Sequence, residues 1–368
     1  MSADYTLRNH IPIAGTGNRE PCDGSESPFR VSLGFTPQWF HKRLGIDFSE
    51  RWHKDPVYRW ETLTEMKKYL TKLFPSIENF RPKLEDGVDY GCATLSAAYG
   101  AQFYSLIYGQ KVIYKKDEWP LVSSQDTLDI DTLLEMPKFD PETNPGFQEI
   151  IQQVDFLTNR WGKAAGYLNI YQGVLNNAFR LCGVDIFMDI VMEPEKVLTL
   201  FDRIYDTMLT ASQYLEERQR VSGFAIDQFS SANCVVNMIS PEMYEKMVLP
   251  YDMELSKKFS RYGIHTCNWN ATPYFKSMRK IDKMGYLDMG MDSDMELARE
   301  MFPDARRGVL YSPRMMLFDP IEKIKEDFEK ISRELGPCDI ILADVDAAMP
   351  DEKMQEIVRI ADSIAEKA

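Results

Sequence analysis

The chain has 368 residues, 44% hydrophobic and 27% charged, which suits a globular protein with a large core, built as two ordinary domains or as one α/β barrel with additions. Its formal net charge of −14 argues against a general binder of nucleic acid or of anionic membranes, since either needs a basic face. The N-terminus lacks the charged-then-apolar pattern of a signal peptide and the six cysteines lack framework spacing, so the expected setting is a reducing cytoplasm with free thiols.

Residues 1–28, rich in Gly, Pro, Asn and Ser, read as an arm over the main body, and 29–368 read as one domain. Phe29–Phe35 is the first predicted strand, followed by two helical stretches, the second from Val57 to Phe74 with Pro75 closing it. Cys92–Leu95 opens the uncharged run Gly91–Gln110 as a second strand; that run is too polar to span a bilayer and reads as a buried strand and helix. From Lys111 to Thr143 the chain is loop-like, and its length suggests an excursion near a site.

The second half is more regular. Strands are predicted at 166–171, 223–227, from Gly263, at 286–289, 308–311 and 339–344, nearly all followed by a helical stretch. The clearest helix carries Val197, Phe201, Ile204, Met208, Ala211 and Leu215 on one stripe, with Pro194 in its first turn. Ser240, Ser293 and Asp319 are expected N-caps, the last two with a reciprocal Glu. Alternating βα units imply a parallel sheet, and eight of them predict a closed (β/α)8 barrel. An open doubly wound sheet is the rival, weakened by the lack of a G-x-G-x-x-G after an early strand.

In a barrel, chemistry gathers at the C-terminal strand ends. Those ends carry Asp227, His265 with Cys267, Asp288, Tyr311, and Asp344 with Asp346. Residues two apart on a strand share a face, so His265 and Cys267 are expected to offer two corners of a tetrahedral zinc site. An isolated H-x-C is more often a buried thiol and a hydrogen-bonded core histidine. Asp344 follows an apolar strand directly and is the preferred third ligand; Asp346 and Cys338 are the alternatives, although Cys338 would lie at the barrel's far end. Asp288 and Asp292 read equally well as helix caps. Tyr171, Trp269 and Tyr311 are candidate walls for a flat substrate, with Phe229 and Tyr274 near them, and Asn176, Asn177 and Arg180 are placed to bind a polar group or to cap a helix.

The string His265-Thr-Cys-Asn-Trp-Asn-Ala-Thr-Pro-Tyr274, with Gly285-Tyr-Leu-Asp-Met-Gly290, Asp292-Ser-Asp294 and Gly336-Pro-Cys-Asp-Ile-Ile-Leu-Ala-Asp344, resembles the uroporphyrinogen-decarboxylase-like superfamily and its corrinoid-dependent methyltransferases. Within these it looks like the methyltransferase component of methoxyarene O-demethylases of anaerobes. Ser32–Phe35 and Tyr171–Phe179 extend the likeness. Two departures stand out: the Pro-rich, Arg-containing opening motif of true uroporphyrinogen decarboxylases is absent, and the family's distant Gly-Cys is replaced around Asp344-Val345-Asp346.

The resemblance implies a (β/α)8 barrel that moves a methyl group from a methoxylated aromatic compound to Co(I) of a corrinoid held on a separate protein, with zinc on His265 and Cys267; it leaves the third ligand open, and Asp344 or Asp346 is expected to complete the set. Asp227 and Asp346 are then the candidate acids. Tyr171, Asn176, Trp269 and Tyr311 would line the substrate, and a homodimer is compatible with this reading. The alternatives are transfer from a methyl-corrinoid to a thiol of the coenzyme M type, and a non-catalytic barrel that binds a flat aromatic or a tetrapyrrole.

Overall fold

The structure is a computed structural model that describes residues 27–77, 80–166, 172–225 and 228–367. The N-terminal arm, but for its last two residues, lies outside them, as do Tyr171 and Asp227. Among the described residues six strands form one parallel sheet: β1 (Phe29–Phe35), β2 (Gln228–Ala232), β3 (Arg261–His265), β4 (Met284–Gly290), β5 (Arg306–Leu310) and β6 (Cys338–Val345). Their spatial order is β1-β6-β5-β4-β3-β2, so the first strand closes against the last. Of the other two staves the described residues show two parallel bridges, Gln172 with Ala232 and Ala165 with Thr94. The protein is a (β/α)8 barrel.

The helices form where periodicity and caps agree. α1 (Pro56–Leu73) starts with proline at its first turn, and Asp55 accepts hydrogen bonds from the amides of Val57 and Tyr58. All six stripe residues of the longest helix (Pro194–Val221) are buried. Among the described residues no helix is long and apolar enough to cross a membrane.

Several boundaries differ from the sequence reading. Cys92–Leu95 contributes a single bridge rather than a strand. The excursion from Lys111 to Thr143 folds into a two-residue hairpin pair (Val112–Ile113 with Leu121–Val122) and a short helix, Ile130–Glu135, capped by Asp129. Ser240 caps as predicted, but Asp294 rather than Ser293 caps the helix Met295–Met301. Ser293 Oγ instead accepts from Ala271 N, and the helix Ile321–Leu335 has no side-chain cap.

The largest shift concerns the strand predicted at 223–227, where Phe224 and Ala225 are irregular, and among the described residues the strand is Gln228–Ala232. Its residues, Gln-Phe-Ser-Ser-Ala, are all buried. Hydroxyls are admitted here because they find partners: Ser231 Oγ lies 2.5 Å from the Tyr262 hydroxyl, and Gln228 Nε2 donates to Ser230 Oγ.

The lower end of the barrel is held by a buried ion cluster in which Asp339 receives both Arg30 and Arg306. Cys338, the first residue of β6, is fully buried at this end, and burial pushes its thiol up to about 12.

Candidate metal centre

At the opposite end, β2 and β3 deliver the site. They pair in parallel with Ala232 opposite His265, so the residues two further on, Cys234 and Cys267, emerge side by side. Among the described residues Cys234, His265 and Cys267 form the one group of three or more potential ligands, with their ligand atoms all within 4.8 Å of one another. His265 Nε2 lies 3.1 Å from Cys267 Sγ.

Each ligand is held by its own local contacts. The Asn233 amide donates to the His265 carbonyl at 2.7 Å, which extends the pairing one residue past β2. The Cys234 carbonyl accepts from Trp269 Nε1 at 3.1 Å, and the next amide, Val235 N, donates to Asn176 Oδ1. Behind them Asp252 accepts from Asn233 Nδ2, Tyr244 and Tyr262; burial pushes its carboxyl up to about 6, although these hydrogen bonds pull the other way.

His265 Nδ1 lies 2.6 Å from Asp288 Oδ2 on β4. A carboxylate can only accept, so Nδ1 carries a proton and Nε2 is the ring nitrogen left to face a metal. Tyr286 donates to the same carboxylate oxygen, and Thr266 N donates to the other, so Asp288 is itself fixed. Cys267 does not follow the pleat assumed for H-x-C. Its φ is +62°, a left-handed conformation costing roughly 1–2 kcal/mol for a residue with a Cβ, and this turn swings the thiol beside the imidazole.

The electrostatics suit a cation. The Cys234 thiol is held well below its ordinary range, first by its hydrogen bond with Cys267 and then by the charge of His265, against the cost of burial. Cys267 is shifted upward by sharing that hydrogen bond and by burial. Burial alone would lower His265, but Asp288 and the two thiols outweigh it and raise it. Two sulfurs and one imidazole nitrogen, with the other ring nitrogen tied to a carboxylate, fit zinc in a three-ligand site that leaves a fourth position for substrate.

The remaining predicted residues divide. Asp344, also at positive φ, is exposed at the end of β6 and stands outside the three-ligand group, though near enough to feel the His265 charge; the surrounding protein raises its pKa and His265 partly offsets this. Asp346 is exposed and accepts from Ala348 N in a local turn. Tyr311 does not line the mouth: it is fully buried, with its hydroxyl on Asp327 and its ring against Phe328 of the helix layer. Trp269 braces Cys234, and Asn176 has both ends of its amide engaged, so it brackets the ligand loop.

The sequence reading did not single out Cys234. Ending β2 at Asp227 hides it, whereas Asn233-Cys234 directly after a buried strand is the pattern that would have exposed it.

The family model for uroporphyrinogen decarboxylase (URO-D) matches residues 105–363, spanning the site and most of the barrel. The chain belongs to the URO-D family. Among solved structures, this URO-D chain is similar in fold to a methyltransferase from Methanosarcina mazei, with a TM-score of 0.59 and 13% sequence identity over 98% of this chain and 99% of that one. No curated protein matches it.

Proposed function

We propose that this URO-D-family protein is a zinc-assisted methyltransferase that passes the methyl group of a methoxylated aromatic compound to the Co(I) of a corrinoid protein. The observation that carries the reading is the convergence of Cys234, His265 and Cys267 at the mouth of the barrel. The methyltransferase fold of the M. mazei protein supports it.

An aryl methyl ether resists cleavage because phenoxide is a poor leaving group from carbon. Zinc supplies a Lewis acid for the ether oxygen when bound. The rest of the work falls to the chain. Cys234 takes the third ligand place beside His265 and Cys267, and Asp288 keeps the imidazole in the ligating tautomer. Asp344, with its raised pKa near His265, serves as an acid at the departing oxygen. Trp269 offers a flat wall, fixed by its bond to the Cys234 carbonyl. Among the described residues no group is a nucleophile strong enough to take a methyl from an aryl ether, so a reduced corrinoid protein must supply one. The acidic chain favours a partner with basic patches, with association weakened by salt.

The test is to add a methoxybenzoate and a Co(I)-corrinoid protein to the purified chain. One phenol should form per cobalt methylated, seen as loss of the Co(I) absorption, and nothing should form without the corrinoid. Equal demethylation without it would remove this reading. One observation favours a second reaction: two thiolates and one imidazole are also the ligand set expected for transfer from a methyl-corrinoid to a thiol. A thioether product from methyl-Co(III) corrinoid protein and a free thiol, with no phenol from any methoxyarene, would select it.

A further inference from the structure

The helix that follows Gln172, Val174–Cys182, points a cation at this site. Gln172 Oε1 accepts from Asn176 Nδ2 at 3.0 Å and from Arg180 Nε at 3.3 Å, so Gln172, Asn176 and Arg180, spaced by four, form one polar stripe. Asn176 ties that stripe to the backbone just after Cys234. Arg180 is half-buried, and its head lies close enough to Cys234 and Cys267 to interact with their charge. Beyond the Nε contact, the terminal nitrogens of its guanidinium make no hydrogen bond or ion pair, and meet no carboxylate, among the described residues.

This half-buried guanidinium is held only at Nε, so its fork is left without a protein anion among the described residues. The two thiolates do not supply one in the metal-loaded protein, since their charge is neutralised by zinc. What the exposed edge of the fork matches is a planar group with two acceptor oxygens. From this geometry we infer that Arg180 receives a carboxylate carried by the substrate, so that the substrates are methoxylated aromatic acids rather than neutral methoxyarenes. The inference rests on the proposed reaction for the methoxyarene part and on the unpaired fork for the anion.

The experiment is calorimetric binding of 3-methoxybenzoate and of its neutral counterpart, 3-methoxybenzyl alcohol, to the zinc-loaded chain, Arg180→Gln and Arg180→Lys, with zinc content and melting temperature measured on each. The acid should bind about tenfold or more tightly than the alcohol, the expected scale for a charge-assisted hydrogen bond. Arg180→Gln should erase that preference while leaving the alcohol's affinity and the zinc content unchanged, and Arg180→Lys should restore part of it. Equal affinity for acid and alcohol in the unaltered chain overturns the inference. So does an Arg180→Gln variant that weakens both ligands alike or loses zinc, because the arginine is then a structural counter-charge. A retained acid preference with no methyl transfer to a corrinoid protein supports the Arg180 site and removes only the proposed reaction.

Discussion

Asp288 grips both neighbours of the strand end it faces: its Oδ2 lies 2.6 Å from His265 Nδ1, and its Oδ1 takes the Thr266 amide at 2.7 Å. One carboxylate therefore sets the tautomer of the imidazole and the path of the chain toward Cys267. Asp288→Asn removes the charge and offers an amide where His265 and Tyr286 both need an acceptor. Zinc affinity, measured by competition with a chromogenic chelator, should fall about ten- to a hundredfold while the barrel stays folded.

The third ligand is tested by contrast. Cys234→Ser should lose zinc under dialysis that leaves the unaltered chain loaded, because a hydroxyl is a far poorer ligand than a thiolate. Asp344→Asn should keep its zinc and lose turnover, and Cys338→Ser, at the far end of β6, should keep both. Loss of metal in Asp344→Asn with full retention in Cys234→Ser would move the third ligand to Asp344.

Close approach under the site makes a second kind of prediction. A Cβ on Gly290 would sit 2.1 Å from the backbone oxygen of Asn268, in the turn just after Cys267. Backbone cannot give way as a side chain does, so Gly290→Ala should cost about 1–3 kcal/mol and weaken zinc binding along with stability. Gly285→Ala, whose Cβ would meet only side-chain atoms at 3.3 Å and beyond, is the control and should keep its metal. Denaturant unfolding and zinc titration on both variants check this.

His53 gives the protein a pH dependence unrelated to the metal. It is buried, its Nδ1 accepts from the Tyr99 amide, and burial followed by the charge of Arg59 lowers its pKa from 6.5 to about 3. The folded state therefore binds the proton less readily than the unfolded chain. The stability this group contributes is complete above pH 6.5 and is lost progressively as pH falls toward 3. Between pH 7 and pH 5 the loss should be about 2 kcal/mol. His53→Asn, which keeps an acceptor for Tyr99 N, should flatten that slope in denaturant unfolding measured across the same range. An unchanged slope would show that His53 is protonated normally in the folded chain.

The helices were the most legible part of the fold, because a stripe such as Val197–Leu215 records burial directly in its spacing. The apolar strands β1, β4 and β6 were legible for a similar reason. β2 was not. Its residues are polar, and by pattern alone the apolar Phe224-Ala225-Ile226 just before it reads as a strand better than Gln228–Ala232 does. Burial there is made tolerable by partners on other elements, Tyr262 and Asp252 among them, which no local pattern announces. Tyr311 failed as a site residue in the same way: its strand was found, but the face it presents follows from packing against the helix that carries Asp327.

The sequence by itself determined the class of the fold and placed His265 beside Cys267. Alternating strands and helices require a parallel sheet, and a histidine and a cysteine two residues apart stay near each other wherever they lie. The tertiary structure decided the rest. Cys234 reaches His265 and Cys267 only because β2 and β3 pair with Ala232 opposite His265, which carries the two cysteines past the strand ends at the same level. Register between strands separated by a helix is set by how that helix packs on the barrel, an interaction between distant residues. Asp288 joins the imidazole and Arg180 is brought to the mouth for the same reason: parallel packing places their elements beside β3 and β2, at distances the linear order of residues does not contain.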